Sequence, residues 1–136
     1  MKKQEFVRGQ ISAAPPEMRA LVAKISKKFK RSVNYISTIG YENEDANMFY
    51  HQHGEDHGHD TPVWIVTTGA ARTFGLREKR KPKTEIRFQV EPGSLLVLPN
   101  SYNVIHEHAV LKDKTPRGMR IAPNMKAMDE KYYEGK

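Results

Sequence analysis

The six histidines of this chain form three His-x-His pairs, at positions 51 and 53, 57 and 59, and 106 and 108. Residues i and i+2 of a β-strand project from the same face, so one pair can offer two imidazoles to a metal ion while a third ligand arrives from a distant strand. Imidazole suits iron, zinc, copper or nickel, and open coordination positions would admit substrate and oxygen. The chain has no cysteine, so a metal here must be held by His, Asp or Glu.

The three pairs differ in their surroundings. The first pair, His51 and His53, ends the apolar run NMFY, which favours a strand. The second pair lies in the Gly- and Asp-rich run GEDHGHD (54–60), which is typical of a solvated loop. The third pair lies in the candidate strand NVIHEHAVL (103–111). We therefore predict a metal site built from the first pair together with either His106 or His108.

The elements that would position these residues are one helix and a series of strands. Residues 15–31, PPEMRALVAKISKKFKR, predict an amphipathic helix that starts with two prolines and ends in basic residues. From residue 33 the chain contains eight short runs rich in Val, Ile, Thr and Tyr, and the last of these predicted strands is RGMRIA (117–122). Turns separate them, and the Pro-Gly centre of EPGS (91–94) fits a type II turn. The prediction is a mainly β protein, a sandwich or barrel with one or two N-terminal helices.

Length and charge limit the organisation and the partners. A chain of 136 residues is the size of one domain, with an N-terminal segment at 1–32, a β core at 33–126 and a tail at 127–136. The formal net charge of +7 favours polyanionic partners. No apolar run reaches the ~20 residues of a membrane span, and the first ten residues lack the apolar stretch of a signal peptide. We expect a cytoplasmic protein without a membrane partner, in the host cytoplasm if the gene is viral.

Six short motifs follow one another between residues 34 and 126. They are Asn34 with Tyr41, the His-x-His at 51–53, PVWIVTTG (62–69) with RTFGLR (72–77), GSLL (93–96), HAVLK (108–112), and Arg120 with Lys126. In this order and spacing the chain resembles the AlkB-like branch of the iron(II) and 2-oxoglutarate-dependent dioxygenases. The family has a His-x-Asp at the second motif, a distal His at the fifth and an Arg at both positions of the last.

The resemblance implies a double-stranded β-helix, also called a jelly-roll barrel, whose mouth holds Fe²⁺. The ligands it implies are His51, His53 and His108. The family's acid is a histidine here, which removes one negative charge from the ligand set and would hold iron(II) less tightly. A strand shifted by two residues would let Glu55 supply a carboxylate instead, although the spacing from Pro62 places position 53 at the acid.

Three further residues acquire roles from the same resemblance. Tyr41 would hydrogen-bond 2-oxoglutarate, and Arg120 would pair with its distal carboxylate. Lys126 stands where the family has its second Arg and would act as a point charge, because an ammonium cannot form the bidentate fork of a guanidinium.

The implied activity is oxidative hydroxylation or dealkylation of a nucleic-acid base, coupled to decarboxylation of 2-oxoglutarate to succinate with O₂ as the other cosubstrate. Candidate phosphate contacts are the basic stretch REKRKPK (77–83), predicted as a hairpin tip, and the basic residues that end the helix. Only about 33 residues precede the barrel, short of the family's nucleotide-recognition lid, so a single-stranded or exposed base is the expected substrate.

Two other readings stay open. A cupin-like metalloprotein shares the barrel and often uses three histidines, but His106 follows Pro99 by two residues more than the usual cupin spacing. A catalytically inactive barrel that binds nucleic acid or protein would explain the histidine at position 53. The sequence leaves the base, the alkyl group, the choice between DNA and RNA and the oligomeric state open.

Overall fold

The computed structural model describes residues 2–6, 14–52, 62–115 and 118–127. Within them the chain forms, in order, β1 (Lys2–Phe6), α1 (Pro16–Phe29), β2 (Tyr35–Tyr41), β3 (Met48–His51), β4 (Val63–Val66), β5 (Thr68–Gly69), β6 (Arg72–Glu78), β7 (Ile86–Val90), β8 (Leu95–Leu98), α2 (Asn100–Asn103), β9 (His106–Val110) and β10 (Arg120–Lys126). A 3-10 turn at Pro82–Thr84 lies in the β6–β7 connection. Neither helix has the length and apolarity that crossing a membrane requires.

The strands form two antiparallel sheets. One sheet has the order β1-β2-β10-β4-β8, with β5 also paired to β10, and the other has the order β3-β9-β6-β7. This non-sequential order, with β10 inserted between β2 and β4, matches the jelly-roll barrel expected from the sequence. The mainly β fold with an N-terminal helix is therefore confirmed.

Alternation along the strands creates two hydrophobic cores. On β4, Val63 and Ile65 belong to a cluster between the sheets, while Trp64 and Val66 belong to a cluster beneath α1. All four side chains are buried, because β4 has a packed layer on both faces. The inner cluster forms the floor on which the candidate site rests.

Several element boundaries differ from the sequence-based prediction. Residues 2–6, for which no strand was predicted, form β1, which pairs with β2. The predicted strand at 103–111 begins only at His106, because the short helix α2 occupies residues 100–103. The last strand, expected to end at residue 122, continues through Pro123 to Lys126. The predicted helix is observed, and Gly93 has a φ of 84°, as the third residue of a type II turn requires.

Candidate functional site

His51 and His108 lie side by side on neighbouring strands. β3 and β9 pair with these two residues directly opposite one another, and their ring centroids are 4.3 Å apart. Both side chains line one cavity between the sheets. His106 instead stacks on Tyr102, with the rings 3.7 Å apart and 5° from parallel. Of the third histidine pair, the structure thus places His108 beside His51.

The environment of these two imidazoles keeps them neutral. His51 Nδ1 donates a hydrogen bond to the Phe49 carbonyl oxygen at 2.8 Å, which fixes the tautomer with its lone pair on Nε2. Burial lowers the pKa of His51, and the Lys126 charge lowers it further. Burial, helped by the neighbouring His51 and by the Lys126 charge, lowers the pKa of His108 to about 3. The neutral form is the one that binds a metal ion.

Arg120 is a completely buried cation beside the same cavity. Its side chain is 0% exposed and lies 5.1 Å from both the Tyr41 and Phe74 ring centroids. Nη2 donates to Thr67 Oγ1 at 3.3 Å, but Nε and Nη1 have no hydrogen-bond partner among the described residues. No carboxylate lines the cavity within the described part of the chain. A buried guanidinium in this state calls for an anionic ligand.

Tyr41 lies directly opposite Arg120 in the pairing of β2 with β10. Burial raises the pKa of Tyr41, although the Arg120 charge opposes the shift. The phenol is therefore protonated at neutral pH and can donate a hydrogen bond. The structure brings together Tyr41 and Arg120, which the resemblance had implied as one cosubstrate site.

Alternate residues of β10 present a polar row to the barrel interior. Asn124 lines the cavity beyond Arg120 and Ala122, and its Oδ1 atom is buried without a hydrogen-bond partner among the described residues. Lys126 is next in the row, with Nζ 5.5 Å from the Tyr35 ring centroid. It is buried, and its charge lowers the pKa of both site histidines. Lys126 thus lies near the histidine pair, although it does not itself line the cavity.

The third expected ligand, His53, lies outside the described residues, as do Glu55 and the second histidine pair. Within the described ranges no group of three His, Cys, Asp or Glu side chains could hold a metal ion. The side chain of Gln52 turns to the carbonyl oxygens of Asn103 and His106, at 2.7 and 3.3 Å. This anchors the chain immediately before position 53 to the α2–β9 segment.

Two contributions to the site were not identified from the sequence. Asn124 was missed because the last strand was expected to stop before it; a strand continued through Pro123 would have placed it in the row of Arg120 and Lys126. In the sequence, Arg72 is distinguished only as the first residue of the RTFGLR motif. It is 0% exposed, stacks 5.6 Å from the Tyr41 ring centroid, and donates to the carbonyl oxygens of Asn43, Glu44, Ala46 and Leu111. Arg72 therefore fastens the loop after β2 and supports Tyr41.

The enclosed part of the cavity is small. Its volume is about 20 Å³, which is room for about one water molecule. Met48, an unbranched and flexible side chain, lines this space.

The expected basic hairpin tip is present between β6 and β7. Two of its five cations are paired, Arg77 with Glu107 and Lys81 with Glu78, and Arg87 on β7 pairs with Glu85. Lys79, Arg80 and Lys83 form no ion pair among the described residues. The basic end of α1 covers the outer face of the other sheet, so the two basic segments do not share one sheet face.

Comparison with known proteins gives a family and a set of structural relatives, among them OsALKBH1 and a prolyl hydroxylase. A family model described as the 2OG-Fe(II) oxygenase superfamily matches residues 1–130. The structure of OsALKBH1 superposes with a TM-score of 0.62 at 17% identity, covering 82% of this chain and 65% of that chain. A prolyl hydroxylase from Trichoplax adhaerens, in complex with a hypoxia inducible factor oxygen degradation domain peptide fragment, gives 0.65 at 11% identity, covering 98% and 67%. No curated protein matches the sequence.

Proposed function

This chain belongs to the 2OG-Fe(II) oxygenase superfamily, and on that premise we propose that it is an AlkB-type dioxygenase that hydroxylates or dealkylates a nucleic-acid base. The observation that carries the proposal is the cavity shared by two neutral imidazoles and a buried guanidinium with no carboxylate in its described lining. Such a cavity combines ligands for a metal with a binding site for an acidic cosubstrate.

The residues present fit iron(II). His51 and His108 supply two nitrogen ligands at the observed 4.3 Å ring separation, and we assign the third position to His53. The lone pair on His51 Nε2 is fixed by the hydrogen bond from Nδ1 to Phe49. When bound, iron(II) with 2-oxoglutarate and O₂ supplies the oxidant for C–H hydroxylation, and the cosubstrate is decarboxylated to succinate.

We assign the binding of 2-oxoglutarate to Arg120, Tyr41 and Lys126. The Nε and Nη1 donors of Arg120 are available to a carboxylate, which would compensate the buried charge. Tyr41 keeps its proton and donates to the same anion, since burial raises its pKa. Lys126 adds a second positive charge on the histidine side of the cavity. The aromatic faces of Tyr41 and Phe74 hold the guanidinium in place.

A nucleic-acid substrate is supported by the charge of the chain and by the β6–β7 hairpin. Lys79, Arg80 and Lys83 are exposed and enter no ion pair among the described residues. Cations in this state can neutralise phosphates and release counterions. The role of the hairpin is to bind the phosphates of the nucleic-acid strand while one base enters the mouth of the barrel.

The test of the oxygenase proposal is an anaerobic titration with iron(II) followed by 2-oxoglutarate. A visible absorption band that appears only after the second addition is the expected result. Metal uptake without any response to 2-oxoglutarate would favour a cupin-like three-histidine protein. Failure to bind metal would leave an inactive binding barrel.

The test of the substrate class is binding of a single-stranded oligonucleotide to a variant with Lys79, Arg80 and Lys83 all changed to Ala. We expect a weaker complex. The slope of the logarithm of affinity against the logarithm of salt concentration should also fall in magnitude by about two to three. The matched control changes three cations at the end of α1 to Ala, namely Lys27, Lys30 and Arg31. Equal losses in both variants would mean nonspecific attraction, and hydroxylation of a peptide instead of a base would overturn this part of the proposal.

A further inference from the structure

A second cavity lies on the opposite face of the six-stranded sheet from the histidines. It has a volume of about 190 Å³ and opens between α1 and the edge strand β8. It shares no lining residue with the histidine cavity. We propose that this cleft binds a small apolar carboxylate, a ligand with a short hydrocarbon body and one anionic head. This inference is independent of the proposed oxygenase activity.

The cleft exists because α1 covers only part of the sheet beneath it. Val22 and Ile25 are buried against the sheet, whereas Leu21 and Phe29 on the same helix are only half-buried. On the sheet side, Leu95 pairs with Val66 at the edge and keeps 39% of its surface exposed. The apolar stripe of the helix is thus wider than the surface it packs on, and the uncovered part forms the walls of the cleft.

The rim of the cleft is positively charged. Lys24 and Lys28 are one helical turn apart on α1, both are exposed, and both line the opening. Neither forms an ion pair among the described residues, and no acidic side chain lines the cleft there. Two unneutralised ammonium groups above an apolar floor complement a carboxylate carried on a hydrocarbon body.

The size of the cleft sets the size of the ligand. An apolar cavity of about 150 Å³ in a protein core is large enough to bind benzene, and drug-sized ligands occupy about 300 Å³ or more. A volume of about 190 Å³ therefore suits a hydrocarbon body of about six to eight carbons. Octanoate has that body and the required head group, so it is the probe of choice.

Binding at this position has its own optical reporter. Trp64 is the single tryptophan of the chain and is completely buried. Its ring centroid lies 5.5 Å from that of Phe29, which lines the cleft. We expect octanoate to change the Trp64 emission in a saturable way, with a Kd on the order of 0.1 to 1 mM that calorimetry reproduces.

The matched variants are Lys28→Glu and Lys27→Glu. Both lysines lie in the last turn of α1, so both changes remove the same favourable interaction with the helix dipole. Only Lys28 lines the cleft. We expect Lys28→Glu to weaken octanoate binding about 5- to 10-fold, and Lys27→Glu to change it less than about 2-fold. Equal effects would overturn the assignment.

Two further titrations locate the head group and the site. Octanamide, which has the same length without the charge, should bind more weakly than octanoate, and only octanoate affinity should fall as salt is raised. Octanoate affinity should not change when 2-oxoglutarate is present in excess. Competition between the two, or octanoate binding without any change in Trp64 emission, would place octanoate elsewhere and refute the proposal.

Discussion

His51 and His108 are direct partners in the antiparallel pairing of β3 with β9, and their rings are 4.3 Å apart. The pairing register shifts between Met48 and His51, a β-bulge that re-aims the side chains at the end of the strand. Both imidazoles are thereby directed into the cavity beside Arg120. The metal and cosubstrate assignments depend on this convergence.

The first prediction concerns metal binding. Replacing His108 with Ala should reduce affinity for iron(II) by at least about 100-fold, because a ligand is lost outright. Replacing His106, which lies two residues earlier on β9 and stacks on Tyr102, should leave the affinity nearly unchanged. An anaerobic metal titration of both variants provides the measurement. Comparable losses at the two positions would contradict the assignment of His108 as the metal ligand of this pair.

The second prediction concerns the two cations of β10. Arg120→Lys keeps the charge but removes the planar fork, so we expect the Kd for 2-oxoglutarate to rise about 10-fold. Lys126→Arg adds a fork where a point charge stands, and should leave the affinity equal or tighter. Both values come from titration of the chelate absorption band, with the Tm recorded to detect any folding defect. Unchanged affinity in Arg120→Lys would remove this residue from the cosubstrate site.

The third prediction is a pH dependence of stability in the metal-free protein. The pKa of His108 is about 3 in the fold and about 6.5 in the unfolded chain. Between these values the unfolded chain binds the extra proton, so the free energy of unfolding should fall as pH drops below about 6.5 and level off near 3. This loss in the free energy of unfolding is absent above about pH 6.5 and amounts to on the order of 4 kcal/mol near pH 3.

Urea denaturation at a series of pH values measures this effect, with His108→Asn as the comparison. An asparagine cannot take up the proton, so the stability of the variant should vary less between pH 4 and pH 6.5. Parallel curves for the two proteins would contradict the burial of a neutral imidazole at this position.

The fourth prediction concerns the outer face of the four-stranded sheet. The Tyr50 ring lies over Gly75, where a Cβ atom would collide with the phenol. Tyr50 is held there by a hydrogen bond to Glu85 and by Arg77, whose guanidinium lies 3.8 Å from the ring centroid. Gly75→Ala should therefore destabilise the protein by about 1 to 3 kcal/mol.

Because Tyr50 immediately precedes His51 on β3, Gly75→Ala should also weaken metal binding. In a double-mutant cycle, the Gly75→Ala change should cost much less when Tyr50 is already Ala. Urea denaturation of the four proteins gives the coupling. If the two changes had additive effects on the free energy of unfolding, the collision between a Cβ atom at position 75 and the Tyr50 ring would not be the cause of the destabilisation.

A large part of the fold could be predicted from local pattern. The helix at 15–31 and the eight strand-like runs follow from periodicities that each segment carries by itself. The superfamily expected from the order of motifs is confirmed by the match over residues 1–130. Short elements were missed where local signals were weak or misleading. The polar residues of β1 become a strand only by pairing with β2, and Pro123 lies within a central strand that its type argues against.

The sequence by itself determined the residue types of the site: imidazoles two apart, an arginine and a lysine six apart, and a surplus of positive charge. Their convergence was decided by the tertiary structure alone, since strand register brings His108 to His51 and Tyr41 to Arg120 across long separations in the chain. Burial of Arg120 without a protein carboxylate in its described surroundings is likewise a property of the packed barrel. Whether a charged side chain is solvated or paired depends on the residues that the opposite sheet and the neighbouring strands place around it, and the local sequence pattern does not encode those residues.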